Sequence, residues 1–116
     1  MSNNTQDAEV QAEIKRTVEE NKIVIFMKGS PMYPQCGFSA QSAGILRELG
    51  EPFAYVDVLE IPAARQGVKD FTNWPTIPQI FINGEFVGGC DILRALHASG
   101  ELQQLVAGEA SAEASE

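Results

Sequence analysis

Apolar residues recur along the chain with helical spacing in some stretches and with strand spacing in others. Over residues 7–20 they return every fourth position, at Val10, Ile14 and Val18, which predicts an amphipathic helix. Residues 22–27 predict a buried strand, because Lys22 is followed by a continuous apolar run of strand length. The chain is therefore expected to open with a helix followed by a strand.

A helix, a strand and another helix are predicted next. Residues 37–49 carry an apolar face, and Gly50 suits the left-handed position that commonly follows a helix end. Residues 53–58 (FAYVDV) predict a second strand, with alternating apolar positions. Residues 62–71 predict a third helix, because Pro62 is favoured in a first helical turn.

The last third of the chain predicts a hairpin and two closing helices. Asn83-Gly84 is a strong signal for a two-residue turn, and it joins residues 79–82 to residues 85–88. Two helices follow, over residues 90–97 and 101–106. The hairpin strands are therefore expected to be antiparallel.

The order of these elements predicts an α/β fold. A strand–helix–strand unit forms a parallel pair because its crossover needs the length of a helix, whereas a two-residue turn joins antiparallel strands. The expected architecture is a four-stranded mixed sheet with helices on both faces.

One domain accounts for most of the chain. With 116 residues, 44% of them hydrophobic, the chain can build its own core. We expect the domain to span residues 8–107, preceded by a disordered N-terminus at residues 1–7. Residues 108–116 predict a disordered acidic tail, because their only apolar side chains are alanines.

The net charge of −8 is concentrated at the two ends of the chain. Residues 1–20 carry −3 and residues 101–116 carry −4, whereas residues 21–100 carry only −1. Acidic ends of this kind indicate solvation, and the lack of a basic cluster argues against nucleic-acid binding.

No apolar run approaches the roughly 18 residues of a membrane span, and no signal-peptide pattern opens the chain. Two cysteines 54 residues apart fit a reducing, cytoplasmic setting.

The candidate chemistry lies in residues 28–39 (KGSPMYPQCGFS), between the first strand and the second helix. Cys36 stands at the predicted helix start, where free backbone N–H groups and the helix dipole favour a thiolate. Lys28 adds a positive charge if the loop folds back. A C-x-x-C pair in this context is a thioredoxin-like redox site, but Ser39 replaces the second cysteine. A mixed disulfide at Cys36 would then need a free thiol such as glutathione, or Cys90, for its release.

Plain structural alternatives remain open for these residues and their neighbours. Cys36 could be a small buried apolar residue, Lys28 a solvated strand-end lysine, and Trp74 a packing residue. Cys90 could cap a helix, contact glutathione or form a disulfide with Cys36. His97, the single histidine, is assigned to the surface of a helix.

Four separated motifs match the pattern of a known family. They are Lys28 with Ser30-Pro31, CGFS at residues 36–39, WPTIPQ at residues 74–79 and GGCD at residues 88–91. In these motifs the chain resembles a monothiol glutaredoxin of the CGFS class. The resemblance implies a thioredoxin/glutaredoxin fold with a cis peptide bond before Pro78.

The resemblance also implies a binding site for glutathione. By position, Lys28 and Arg65 would meet its glycine carboxylate, and the backbone of Ile77 would pair with its cysteinyl part. Cys90 and Asp91 would hold its γ-glutamyl end. Cations suit a carboxylate, and the N–H groups of a helix start suit an anionic group.

Members of this family commonly hold a 2Fe–2S cluster between two protomers. Such a cluster usually needs four thiolates, which Cys36 and one glutathione from each protomer would supply, so that Cys36 is the one metal ligand expected here. The implied function is a carrier that holds the cluster in a homodimer and passes it to apo iron–sulfur client proteins. One alternative is a glutathione-dependent thiol–disulfide oxidoreductase that removes glutathione from protein thiols. Another is an adaptor that acts with a BolA-type protein.

Overall fold

The computed structural model describes residues 2–108, with side chains from residue 7 onward. The nine elements follow one another in the predicted order. The helices are α1 (Ser2–Glu20), α2 (Gly37–Glu48), α3 (Pro62–Thr72), α4 (Cys90–Ser99) and α5 (Glu101–Ala107). The strands are β1 (Ile23–Met27), β2 (Ala54–Asp57), β3 (Gln79–Ile82) and β4 (Glu85–Gly88).

The largest difference from the predicted boundaries lies at the N-terminus. Helix α1 begins at Ser2 and not near Asp7, so residues 2–7, predicted as disordered, are helical in the structure. These residues lack the apolar repeat that reveals a helix in a sequence, but they contain no glycine or proline that would break one. The predicted disordered tail lies, from residue 109 onward, outside the described residues.

The four strands form one mixed sheet in the order β2-β1-β3-β4. Strand β1 is parallel to β2 and antiparallel to β3, and β3 is antiparallel to β4. Asn83 and Gly84 both have positive φ, 55° and 83°, as the tight turn between β3 and β4 requires. The predicted parallel pair and the predicted hairpin are both confirmed.

Helices cover both faces of the sheet, as predicted. On one face Ile23, Ile25 and Met27 of β1 pack in a core with α2, α4 and α5. On the other face Val24 and Phe26 pack in a second core with α1 and α3. Both faces of β1 are buried, and the residues after Met27 leave the sheet at the carboxyl end of this central strand. None of the described helices is long and apolar enough to cross a membrane.

Close packing against α1 sets the position of α3. A Cβ atom on Gly67 would lie 2.5 Å from Val10 Cγ1 and 2.9 Å from Ile14 Cδ1. The Gln11 side chain donates a hydrogen bond from Nε2 to the Gly67 carbonyl oxygen at 2.9 Å. Only a glycine allows the two helices to approach this closely, and the approach fixes the helix that carries Arg65.

Candidate functional site

The loop between β1 and α2 is folded back on itself by backbone hydrogen bonds. The N–H of Gln35 donates to the Lys28 carbonyl oxygen at 2.9 Å. Gly29 has φ +90°, and a Cβ there would lie 2.4 Å from the Tyr33 carbonyl oxygen. The fold of this loop therefore requires glycine, and it brings the segment containing Cys36 back beside the end of β1.

Asp57, the last residue of β2, holds the same loop from the neighbouring strand. Its Oδ1 accepts hydrogen bonds from the Gly29 N–H at 3.0 Å and from the Leu59 N–H at 2.9 Å. The start of the loop is therefore attached to two strands of the sheet.

Cys36 caps the N-terminus of α2. Its backbone is extended, with φ −158° and ψ 140°, and its carbonyl oxygen accepts the first helical hydrogen bond from the Ala40 N–H at 2.9 Å. The side chain is partly exposed. The backbone N–H of Ser39 is the main cause that lowers the pKa of Cys36 below its ordinary value. Burial acts in the opposite direction, and the Phe38 N–H, the Ser39 hydroxyl and the Lys28 charge lower the pKa further.

Ser39, in the first turn of α2, is completely buried. Its Oγ accepts a hydrogen bond from the Lys28 backbone N–H at 3.1 Å. Because that oxygen accepts from the backbone, the hydroxyl proton is free to be donated to the Cys36 sulfur. The residue that replaces a second thiol therefore stabilises the thiolate and also ties α2 to the end of β1.

A cleft of about 530 Å³ opens in front of Cys36. The six residues predicted for the site come from five different segments of the chain, and all of them line this cleft: Lys28, Cys36, Arg65, Ile77, Cys90 and Asp91. The peptide bond between Ile77 and Pro78 is cis, as the resemblance implied. The sequence motifs therefore meet in one place.

Among the other residues of the cleft wall, Lys69 and Trp74 were not assigned to the site from the sequence. Lys69 lines the cleft one helical turn after Arg65 on α3, so the two cations share a face of that helix. This i,i+4 spacing was the available signal. Trp74 packs on Phe86 with ring centroids 5.9 Å apart, as the packing alternative predicted, but it also lines the cleft and is 38% exposed.

The second cysteine has a different environment from the first. Cys90 is the first residue of α4, is buried, and donates a hydrogen bond from Sγ to Gln41 Oε1 at 3.4 Å. Both cysteines are free thiols in the structure, so the disulfide alternative is not the arrangement found. His97 lies outside the cleft, with Nε2 at 3.4 Å from Glu48 Oε1, in agreement with its surface assignment.

The described part of one protomer does not bring a cluster of potential metal ligands together. Among residues 7–108, no group of three or more histidine, cysteine or acidic side chains gathers in one place. Of the two cysteines among the described residues, Cys36 is partly exposed and Cys90 is buried. One protomer therefore offers one accessible thiolate ligand at the cleft.

Comparisons with known proteins agree with this architecture. Residues 23–87 match the model of the glutaredoxin family. The chain belongs to the glutaredoxin family. Among its relatives, an uncharacterised monothiol glutaredoxin (ycf64-like) from Synechocystis sp. is 51% identical over 98 residues, covering 84% of this chain and 92% of the relative. Glutaredoxin 4 of Escherichia coli is 52% identical over 93 residues, covering 80% of this chain and 81% of the relative.

A solved structure gives the same assignment. The solution structure of reduced poplar apo GrxS14 superposes with a TM-score of 0.76 at 44% identity, covering 88% of this chain and 94% of that one. With Ser39 where a two-cysteine glutaredoxin has its second thiol, the chain is a monothiol glutaredoxin of the CGFS type.

Proposed function

We propose that this glutaredoxin binds glutathione in the cleft and, with it, holds a 2Fe–2S cluster between two protomers for delivery to apo iron–sulfur proteins. The observation that carries the proposal is the environment of Cys36. It is a partly exposed thiol with a lowered pKa, at the mouth of a cleft whose charged side chains are three cations and one carboxylate, with Ser39 in the place of a second thiol.

The charges of the cleft wall match those of glutathione, which has two carboxylates and one amine. Lys28 and Arg65 suit the glycine carboxylate, and Lys69 adds a third cation on the same side of the cleft wall as Arg65. The N-terminus of α4 suits the carboxylate of the γ-glutamyl end, and the exposed carboxylate of Asp91 suits its amine. The backbone of Ile77 then pairs with the cysteinyl part, which directs the glutathione sulfur toward Cys36.

The number of available thiolates supports a shared cluster. A 2Fe–2S cluster is usually held by four thiolates, and each protomer offers one accessible thiolate at its cleft. One glutathione per protomer supplies the other two. Free thiols at both cysteines are consistent with a reducing compartment such as the cytoplasm, and a cluster held at the partly exposed Cys36 would be accessible to client proteins or to a BolA-type partner.

Reconstitution under argon with iron, sulfide and glutathione tests the proposal. The wild-type chain should develop the visible absorbance of a 2Fe–2S cluster, and Cys36→Ser should not, because no other thiol stands at the start of α2. Cys90→Ser is the matched control and should keep part of the cluster. A cluster spectrum of full strength in Cys36→Ser would overturn the proposal.

A second candidate function is supported by the lowered pKa of Cys36, because the thiolate is the nucleophile in disulfide exchange. In this reaction the Cys36 thiolate attacks the glutathione sulfur of a mixed disulfide, and the protein thiolate leaves. A second glutathione thiolate then attacks that sulfur and releases glutathione disulfide, which restores Cys36.

The wild-type chain should be slow in this reaction, since it has no resolving thiol of its own at position 39 and depends on a second glutathione. Ser39→Cys supplies one beneath Cys36, and deglutathionylation in a glutathione-coupled assay should then rise. A fast wild-type rate, unchanged by Ser39→Cys, would favour the oxidoreductase over the cluster carrier as the main function.

A further inference from the structure

A buried amide lies behind the wall of the cleft that carries Trp74 and Ile77. Gln79, the first residue of β3, is completely buried although its side chain is polar. An amide is costly to bury unless its polar atoms are hydrogen-bonded. The partners of Gln79 therefore show what its burial accomplishes.

Every partner of the Gln79 amide belongs to the segment that precedes it. Nε2 donates to the Trp74 carbonyl oxygen at 2.9 Å and to the Thr76 carbonyl oxygen at 3.1 Å. Oε1 accepts from the Thr72 hydroxyl at 2.8 Å. Chemistry fixes the orientation of the amide, because a flipped amide would turn Oε1 toward two carbonyl oxygens that cannot donate.

Thr72 completes a closed circuit of hydrogen bonds. Its Oγ1 accepts from the Trp74 backbone N–H at 3.1 Å. Gln79 Oε1 and the Val68 carbonyl oxygen can both only accept, and the single hydroxyl proton is assigned to Gln79 Oε1, which is the nearer at 2.8 Å against 3.1 Å. The backbone of Trp74 is thus held at both ends, by Thr72 at its N–H and by Gln79 at its carbonyl oxygen.

We infer that Gln79 and Thr72 are positioning residues for glutathione recognition. Neither side chain lines the cleft, whereas Trp74, Thr76 and Ile77 do. The circuit fixes the backbone of residues 74–76, and with it the Trp74 ring and the Ile77 backbone to which the cysteinyl part of glutathione is proposed to pair. The inference rests on the proposed glutathione site.

Three variants test the circuit with little change of volume. Gln79→Met keeps the length of the side chain and removes the amide, Thr72→Val keeps the shape and removes the hydroxyl, and Thr72→Ser restores the hydroxyl. The probe is S-methylglutathione, which cannot form a disulfide with Cys36, and its affinity is measured by titration calorimetry. Gln79→Met and Thr72→Val should weaken binding about tenfold, the effect of about one net hydrogen bond. Thr72→Ser should bind nearly as the wild type does.

A stability control and two further signals separate positioning from a general loss of structure. Val106→Ala removes buried volume from α5, outside the cleft, and should lower stability without weakening S-methylglutathione binding. Trp74 is the single tryptophan of the chain, so its fluorescence reports on the wall alone. Its emission should shift to the red in Gln79→Met and Thr72→Val and stay unchanged in Val106→Ala. The pH profile of Cys36 alkylation should stay unchanged in all variants.

The outcomes distinguish this inference from the function on which it rests. If Gln79→Met and Thr72→Val bind S-methylglutathione as tightly as Val106→Ala does, or if Thr72→Ser binds as weakly as Thr72→Val, the inference is overturned and the proposed function stands. If the wild-type chain itself does not bind S-methylglutathione, the proposed function fails and the inference fails with it.

Discussion

At the scale of single residues, the pKa of Cys36 depends chiefly on backbone N–H groups in the first turn of α2. The sequence pointed to the helix start and to Lys28 as the causes of a lowered pKa. In the structure the backbone N–H of Ser39 has the largest effect and the Lys28 charge the smallest of those that lower the pKa. Hydrogen bonds from the first turn of α2 therefore lower the pKa more than the nearby cation does. The sequence alone could not rank these two effects, because the ranking depends on distances.

Ser39→Ala should raise the pKa of Cys36, because one hydrogen bond to the thiolate is lost. The pKa should stay below its ordinary value, since the backbone N–H groups of Ser39 and Phe38 remain. The rate of alkylation by iodoacetamide follows the thiolate, so its midpoint should lie at lower pH in the folded wild type than in the urea-unfolded chain. In Ser39→Ala it should move back toward higher pH. An unchanged midpoint would show that the hydroxyl does not contact the sulfur.

Ser42, one turn further along α2, provides the matched control for that experiment and a prediction of its own. Its Oγ is buried without a hydrogen-bond partner. Replacing an unsatisfied buried hydroxyl by a methyl group removes a desolvation cost, and alanine is the better helix former. Ser42→Ala should therefore raise the free energy of unfolding by about 1 kcal/mol, measured by urea denaturation. The alkylation midpoint of Cys36 should not move, and a loss of stability would contradict the assignment.

At the scale of the elements, the sequence predicts what depends on local pattern. The predicted boundaries of the elements agree with the structure within two residues, apart from the start of α1. The signals were the spacing of apolar residues, the Asn83-Gly84 turn and Pro62. The close approach of α1 and α3 could not be predicted. A glycine inside a helix is unfavourable by itself, and only the contact of Gly67 with Val10 in the structure explains why it is there. The same limit applies to Gln79, whose burial and partners arise only when β3 enters the sheet.

The contrast between two helical glycines tests this account of packing. Alanine is favoured over glycine inside a helix by about 1 kcal/mol. A Cβ on Gly44 in α2 meets nothing within 4 Å, so Gly44→Ala should stabilise the protein by about that amount. A Cβ on Gly67 would collide with the stiff side chain of Val10, so Gly67→Ala should destabilise by about 1–3 kcal/mol.

The double variant Gly67→Ala with Val10→Ala makes room for the new methyl group and should recover part of the loss. Urea denaturation of all four proteins, including the wild type, measures these differences. If the two glycine substitutions change the free energy of unfolding in the same direction, then α1 does not restrict α3 as the distances indicate.

At the scale of the whole molecule, the overall charge conceals the charge of the site. The chain carries −8, but three cations and one acid line the cleft: Lys28, Arg65, Lys69 and Asp91. The cations come from the end of β1 and from one face of α3, so the fold collects them from distant parts of the chain. An anionic ligand would therefore meet an attractive site on an acidic protein, and the affinity should fall as salt concentration rises.

The assembly state gives the most demanding test, because the proposed cluster is shared. The apo-protein should be a monomer, and the holo-protein a dimer that dissociates when glutathione is removed, because each protomer provides only one of the four thiolates. Lys28→Glu should lose most of the dimer by reversing the charge beside the ligand. Lys22→Glu, the same charge change at the other end of β1, should not, since Lys22 lies beside Glu51 outside the cleft. The measurement is light scattering on a sizing column under argon, with and without glutathione. A dimer that keeps its cluster without glutathione and loses it in Cys90→Ser would show that Cys36 and Cys90 are the ligands, and that Cys90 leaves its buried contact with Gln41 to bind iron.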